Sequence, residues 1–100
     1  MSISKTVSFY GIPHVYAPVG ERRFKIPELK NSWGQEALNF TEKAHFCPQL
    51  FAKGHLERIS EDCLYLNIWA PKKALEEKGN LPVQVYFHGG AFFVGANSLR

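Results

Sequence analysis

A chain of 100 residues, 45% hydrophobic and 21% charged, is at most one small domain and has the balance of a globular protein, not a disordered one. Its net charge of +3 and pI near 9.0 arise from Lys and Arg scattered among Asp and Glu, which form neither a basic stripe nor a basic aromatic platform for nucleic acid. No apolar run approaches the roughly 20 residues that span a bilayer, and the start, "MSISKTVSFYGIP", lacks the apolar core and cleavage site of a signal peptide, so the expectation is a cytosolic protein or a true N-terminus lying upstream.

In chain order, "KTVSFYGIP" predicts a short strand from Thr6 to Tyr10, ended by Gly11 and Pro13. The Pro-rich "HVYAPVGERRFKIPELK" reads as an irregular loop hugging the body of the fold. "NSWGQEALNFTEKAHF" carries a helical turn around Glu36 to Phe40, opposed by Gly34 and by β-branched and aromatic neighbours. Cys47 and Cys63 are free thiols if the protein is cytosolic and one bridge if it is secreted. A bridge closing a loop of about 15 residues would contribute on the order of 3 kcal/mol. "EDCLYLNIWAP" alternates Leu64, Leu66 and Ile68 against Tyr65, Asn67 and Trp69 and stops at Pro71, the pattern of a strand with one buried face. "KKALEEKGNLP" reads as a connection opening with a helical turn, and "VQVYFH" as a further strand. Three or four strands with almost no helix supply half a core, because an α/β sheet needs helices on its faces. That shortage marks the chain as a fragment.

Chemistry concentrates at "VYFHGGAFFVG", where His88, Gly89, Gly90 and Ala91 follow a strand pattern directly. Ligands in open α/β sheets bind at that end of the strands. Bare backbone there lets successive N–H groups converge on a developing oxyanion, although a tight turn without chemistry also uses two glycines. An HGG-type turn after a strand is also the signature of an oxyanion loop in lipases and esterases. Phe92 and Phe93 fit a substrate gorge or a packed core equally well. His45, Cys47, His55 and Cys63 match no standard zinc spacing, so no metal is expected. "NFT" makes Asn39 a possible glycosylation site, meaningful only in a secreted chain.

Three stretches carry a family resemblance. "SEDCLYLNIWAP" resembles the EDCLYLN signature of type-B carboxylesterases, a family that includes cholinesterases; "FYGIPHVYAPVGERRFKIP" and "CPQ" at Cys47 to Gln49 are similar to its N-terminal stretches, in the same order and spacing. The resemblance covers Val7 to Asn97, with His14-Val15 standing where Tyr-Ala is usual. It implies an α/β class, namely the N-terminal portion of an α/β-hydrolase fold: early, mostly antiparallel strands of the central mixed sheet plus long loops, spanning 1–100 and incomplete as a domain. It also implies oxyanion-hole donors at Gly90 and Ala91 and a turn shaped by His88 and Gly89. A disulfide between Cys47 and Cys63 and a buried ion pair between Arg23 and Glu61 follow from the same likeness. The disulfide in turn implies a secreted or extracellular protein.

The implied function is a serine carboxylesterase acting on small-molecule carboxylic esters without a cofactor. The nucleophile is missing from this stretch, since no GxSxG occurs within it and Ser98 in "GANSLR" lacks the flanking glycine. The chain as given therefore holds no catalytic residue and is expected to be inactive by itself. Two alternatives remain: a cholinesterase-like adhesion protein without a triad, and a truncated product without function.

Overall fold

The structure, a computed structural model of the chain, describes residues 5–34, 37–50 and 56–97. Its organising element is an antiparallel pair, β1 (Thr6–Pro13) and β2 (Tyr65–Pro71). The β1 strand runs past Gly11, where the sequence places a stop, by means of a β-bulge. Phe9 lies opposite Ile68 and Ile12 opposite Leu66, so Tyr10 and Gly11 share one position on the partner, at Asn67. Asn67 Oδ1 accepts the N–H that the bulge takes out of the ladder, from Gly11 at 3.0 Å. Gly11 has φ +67°, and a Cβ there would come within 2.6 Å of the Glu42 carbonyl oxygen, so the position excludes side chains twice over.

The bulge also sorts the faces. Cross-strand partners share a face, so Val7, Phe9 and Ile12 lie with Ala70, Ile68 and Leu66 although their spacing in β1 is uneven. This is the apolar face expected for β2, but Leu66 is 36% and Ile68 45% exposed, because no layer covers them among the described residues. On the other face Tyr10 meets Trp69 edge-on, with ring centroids 6.0 Å apart.

The loop between the strands is held by isolated bridges. Val15 pairs with Leu29, closing a segment that contains a short 3-10 helix at Gly20–Arg22. Val15 is buried, yet residues 19–29 are exposed, so this loop buries little against the body and is tied to it partway along by Arg23, whose Nε donates to Glu61. His14, beside it, keeps a buried Nδ1 without a hydrogen-bond partner among the described residues. Phe46, 1% exposed, is the most buried side chain described; its backbone pairs in parallel with Ile59, after a second 3-10 helix at Leu56–Arg58. The Arg58 guanidinium lies 4.8 Å from the centre of the Phe46 ring and donates to the Ala44 carbonyl.

Two expected elements differ. Residues 37–40 form no helical turn, and Glu36 lies outside the described residues. The Thr41 N–H that a helix would use is taken by Asn39 Oδ1, and the Phe40 carbonyl is taken by the Tyr10 N–H. Residues 82–89, containing "VQVYFH", form no strand. Their β-branched and aromatic side chains favour a pleated ladder, but a ladder needs a neighbour's N–H and C=O groups, and none runs alongside among the described residues. The helical turn after β2 is present as α1 (Lys72–Glu77), closed by Lys78 in the left-handed region and by the Gly79 N–H donating to the Ala74 carbonyl.

Candidate active-site loop

The turn at residues 88–95 is built around the Gly90 carbonyl, which accepts from the N–H groups of both Phe93 and Val94 at 3.1 Å. Curling the chain this tightly puts Gly90 at φ +143°, Ala91 at +55° and Phe92 at +67°. Two successive non-glycine residues in the left-handed region cost on the order of 1–3 kcal/mol each, a strain that clusters at functional sites. A Cβ on Gly90 would run into the Val94 carbonyl oxygen, so only glycine fits there.

The geometry of the carbonyls decides where the N–H groups go. His88 Nδ1 lies 2.9 Å from the Gly89 carbonyl oxygen and donates to it in its Nδ1–H tautomer. The peptide unit is planar and trans, so each anchored carbonyl turns the following N–H the opposite way. The Gly89 carbonyl therefore fixes the N–H of Gly90, and the Gly90 carbonyl fixes that of Ala91. Neither N–H has an acceptor among the described residues. Free donors alone say little, since the backbone of residues 83–87 has no hydrogen-bond partner among the described residues either; here the two donors belong to peptide units whose other ends are held. A recess of about 420 Å³ lies between residues 47–49 on one side and 88–95 on the other.

Of the remaining expected residues, Cys47 lines this recess. Cys47 and Cys63 form a disulfide with Cα atoms 5.1 Å apart, which uses both thiols and removes them as zinc ligands. Arg23 Nε donates to Glu61 Oε1 at 2.7 Å, joining the N-terminal loop to the segment before β2. That pair is not buried as expected: the side chains keep 50% and 45% of their exposure, because the loop bearing Arg23 lies over no core. Asn39 is exposed, and its Oδ1 accepts from both the N–H and the hydroxyl of Thr41. Phe92 and Phe93 are exposed and pack in no core among the described residues. Ser98 and His55 lie outside the described residues. No helix among the described residues is long and apolar enough to cross a membrane.

A polar network that local sequence patterns do not reveal closes the turn from behind. Gln49 bonds the backbone of Gly95 in both directions, and Asn97 Nδ2 donates to the Tyr65 carbonyl while its own carbonyl accepts from Asn67 Nδ2. The partners are 30 to 46 residues apart, beyond the reach of any periodicity.

Known proteins resemble this chain in sequence and in fold. The model of the carboxylesterase family matches residues 2–99. The chain belongs to the carboxylesterase family. Among its relatives in that family, the para-nitrobenzyl esterase of Bacillus subtilis (strain 168) is 45% identical over 93 residues, which are 88% of this chain and 18% of the relative. The juvenile hormone esterase of Tribolium castaneum is 45% identical over 95 residues, 92% of this chain and 16% of the relative. A solved structure of a thermophilic PNB esterase superposes with a TM-score of 0.77 at 39% identity, covering 98% of this chain and 20% of that one. The chain thus spans a fifth or less of the carboxylesterases it matches, and its fold is the N-terminal portion of an α/β-hydrolase domain.

Proposed function

We propose that this chain supplies the oxyanion loop of a serine carboxylesterase. In the full-length protein a serine Oγ attacks the acyl carbon of a small-molecule carboxylic ester, and the carbonyl π electrons move onto oxygen. The N–H groups of Gly90 and Ala91 receive that oxyanion, together with a donor next to the serine. Collapse of the tetrahedral species breaks the ester C–O bond, and the alcohol leaves with the proton that a histidine took from the serine. Water then repeats the attack on the acyl-enzyme and releases the carboxylic acid.

One observation supports this reading above the others: the Gly89 and Gly90 carbonyls are tied down, which leaves two adjacent N–H groups oriented and without acceptors among the described residues. Such donors stabilise a transition state because no reorganisation is needed when charge develops. His88 shapes the turn through the Gly89 carbonyl. The disulfide supports folding in an oxidising compartment, where the exposed Asn39 would be open to glycosylation.

The test is made on the full-length protein. It is expected to hydrolyse p-nitrophenyl acetate and to lose that activity to a serine-directed organophosphate. Incorporating lactic acid at position 91 replaces one N–H by an ester oxygen and should lower kcat/KM by about 10²–10³-fold. A folded full-length protein without turnover would overturn the proposal in favour of a non-catalytic binding role.

A further inference from the structure

The side chain of Gln49 is the one place where the disulfide-closed loop grips the turn at residues 88–95 by hydrogen bonds among the described residues. Its Oε1 accepts from the Gly95 N–H at 2.9 Å, and its Nε2 donates to the Gly95 carbonyl at 2.9 Å and to the Cys47 carbonyl at 3.1 Å. The amide thus presents a donor and an acceptor to one residue, as the backbone of an antiparallel strand does in a hydrogen-bonded pair. The partners also fix which end is oxygen: rotating the amide by half a turn would set Oε1 against two carbonyl oxygens and Nε2 against an N–H. Glutamate cannot make the set when ionised, and methionine can fill the space without making any of it.

The grip matters because of where it falls. The Gly90 carbonyl is anchored four and three residues on, at Val94 and Phe93, so the hydrogen-bonded curl ends next to Gly95. Everything inward of that point, including the peptide units of Gly90 and Ala91, moves as one with it. Outward, Gly95 is held to Gln49, which is two residues from a disulfide-bonded cysteine and also bonds that cysteine's carbonyl. Strained left-handed residues at Ala91 and Phe92 would relax by opening the curl, and the Gln49 bonds oppose that opening.

We infer that Gln49 is a positioning residue for the oxyanion donors, transmitting the rigidity of the Cys47–Cys63 staple to Gly90 and Ala91 through the backbone of Gly95. This rests on the function proposed above. In the full-length esterase, Gln49→Met is expected to lower kcat by about 10–100-fold with KM within a factor of two, as expected for loss of part of an interaction made in the transition state. Inhibition by a trifluoromethyl ketone, which places a tetrahedral oxyanion in the hole, should weaken by a similar factor, whereas an unreactive amide analogue should bind as before. Gln49→Glu serves as the second variant. It puts an oxygen where two carbonyls sit, so it can donate only when protonated, and its kcat relative to the wild type should rise as pH falls from 8 to 6. An unchanged kcat in Gln49→Met, or a flat ratio in Gln49→Glu, would sink the inference. So would equal weakening of the ketone and the amide. If the full-length protein hydrolyses no ester, the functional reading fails and the catalytic role with it. Exchange of the Gly95 amide proton then decides the clamp separately, by speeding up in Gln49→Met or staying as it was.

Discussion

Tyr65 shows how a single side chain records the environment of the segment before β2. Burial, the hydrogen bond from its hydroxyl to Asp62 Oδ1 at 2.7 Å and the Asp62 charge together push its pKa up from 10.0 to about 12. The folded chain therefore holds this proton more tightly than the unfolded one. Its stabilising contribution is whole below pH 10 and is lost as pH rises through 10 to about 12. In the full-length protein, absorbance at 295 nm is expected to show a tyrosine step near 12 that moves down in Asp62→Asn. The fall in urea midpoint above pH 10 should shrink in the same variant. At this scale the sequence was legible where chemistry is local. The HGGA run could be read because its glycines and its place after an apolar segment are neighbours in the chain. Gln49 could not, because its amide finds its partner 46 residues away. Arg23 and Glu61 were legible through the family's pattern alone, and their half-exposed pairing carries the few tenths to one kcal/mol typical of surface pairs.

Among the elements, β2 and the start of β1 were read in place, β1 runs past the stop expected at Gly11, and the disulfide was legible through the family's pattern alone. Period-2 alternation found β2 because its side chains alternate whether or not a face is covered. β-Propensity misread "VQVYFH" at 83–88, because propensity describes a backbone that suits a sheet and says nothing of whether a partner strand is present. The Glu36 to Phe40 turn lost to a side chain: Asn39 offers Thr41 a closer acceptor than a helix would. The staple between Cys47 and Cys63, with a sequence separation of 16, is the element whose removal is easiest to test. In the full-length protein Cys47→Ala/Cys63→Ala should cost about 3 kcal/mol, read as a lower urea midpoint, since it frees a loop of about 15 residues in the unfolded chain. An unchanged midpoint would mean that the loop is held as well by Phe46 and Gln49 without the bond.

For the whole molecule, the radius of gyration is 15.8 Å, against about 13 Å for a compact chain of this length. The buried apolar side chains described are Val15, Ala44 and Phe46, too few for an independent core. Val83, Val85, Tyr86 and Phe87 are 68% to 86% exposed. The 100-residue chain expressed by itself is therefore expected to bind an apolar dye, to self-associate in sedimentation and to turn over no p-nitrophenyl acetate. A monomeric, dye-silent chain with a cooperative unfolding transition would contradict this. The sequence anticipated this incompleteness from its shortage of helices, a property of composition and length that needs no contacts to read.

The bulge at Gly11 has an arithmetic consequence. Before it, the paired positions of β1 and β2 add to 77; after it, they add to 78. The one extra residue accounts for the whole change: in a strand shortened by Gly11 the sum would stay at 77, and Ile12 would still lie opposite Leu66 on its present face. What the extra residue adds is sideways reach: it brings bare backbone against the Glu42 carbonyl and an N–H to Asn67, at no cost to the faces on either side of it.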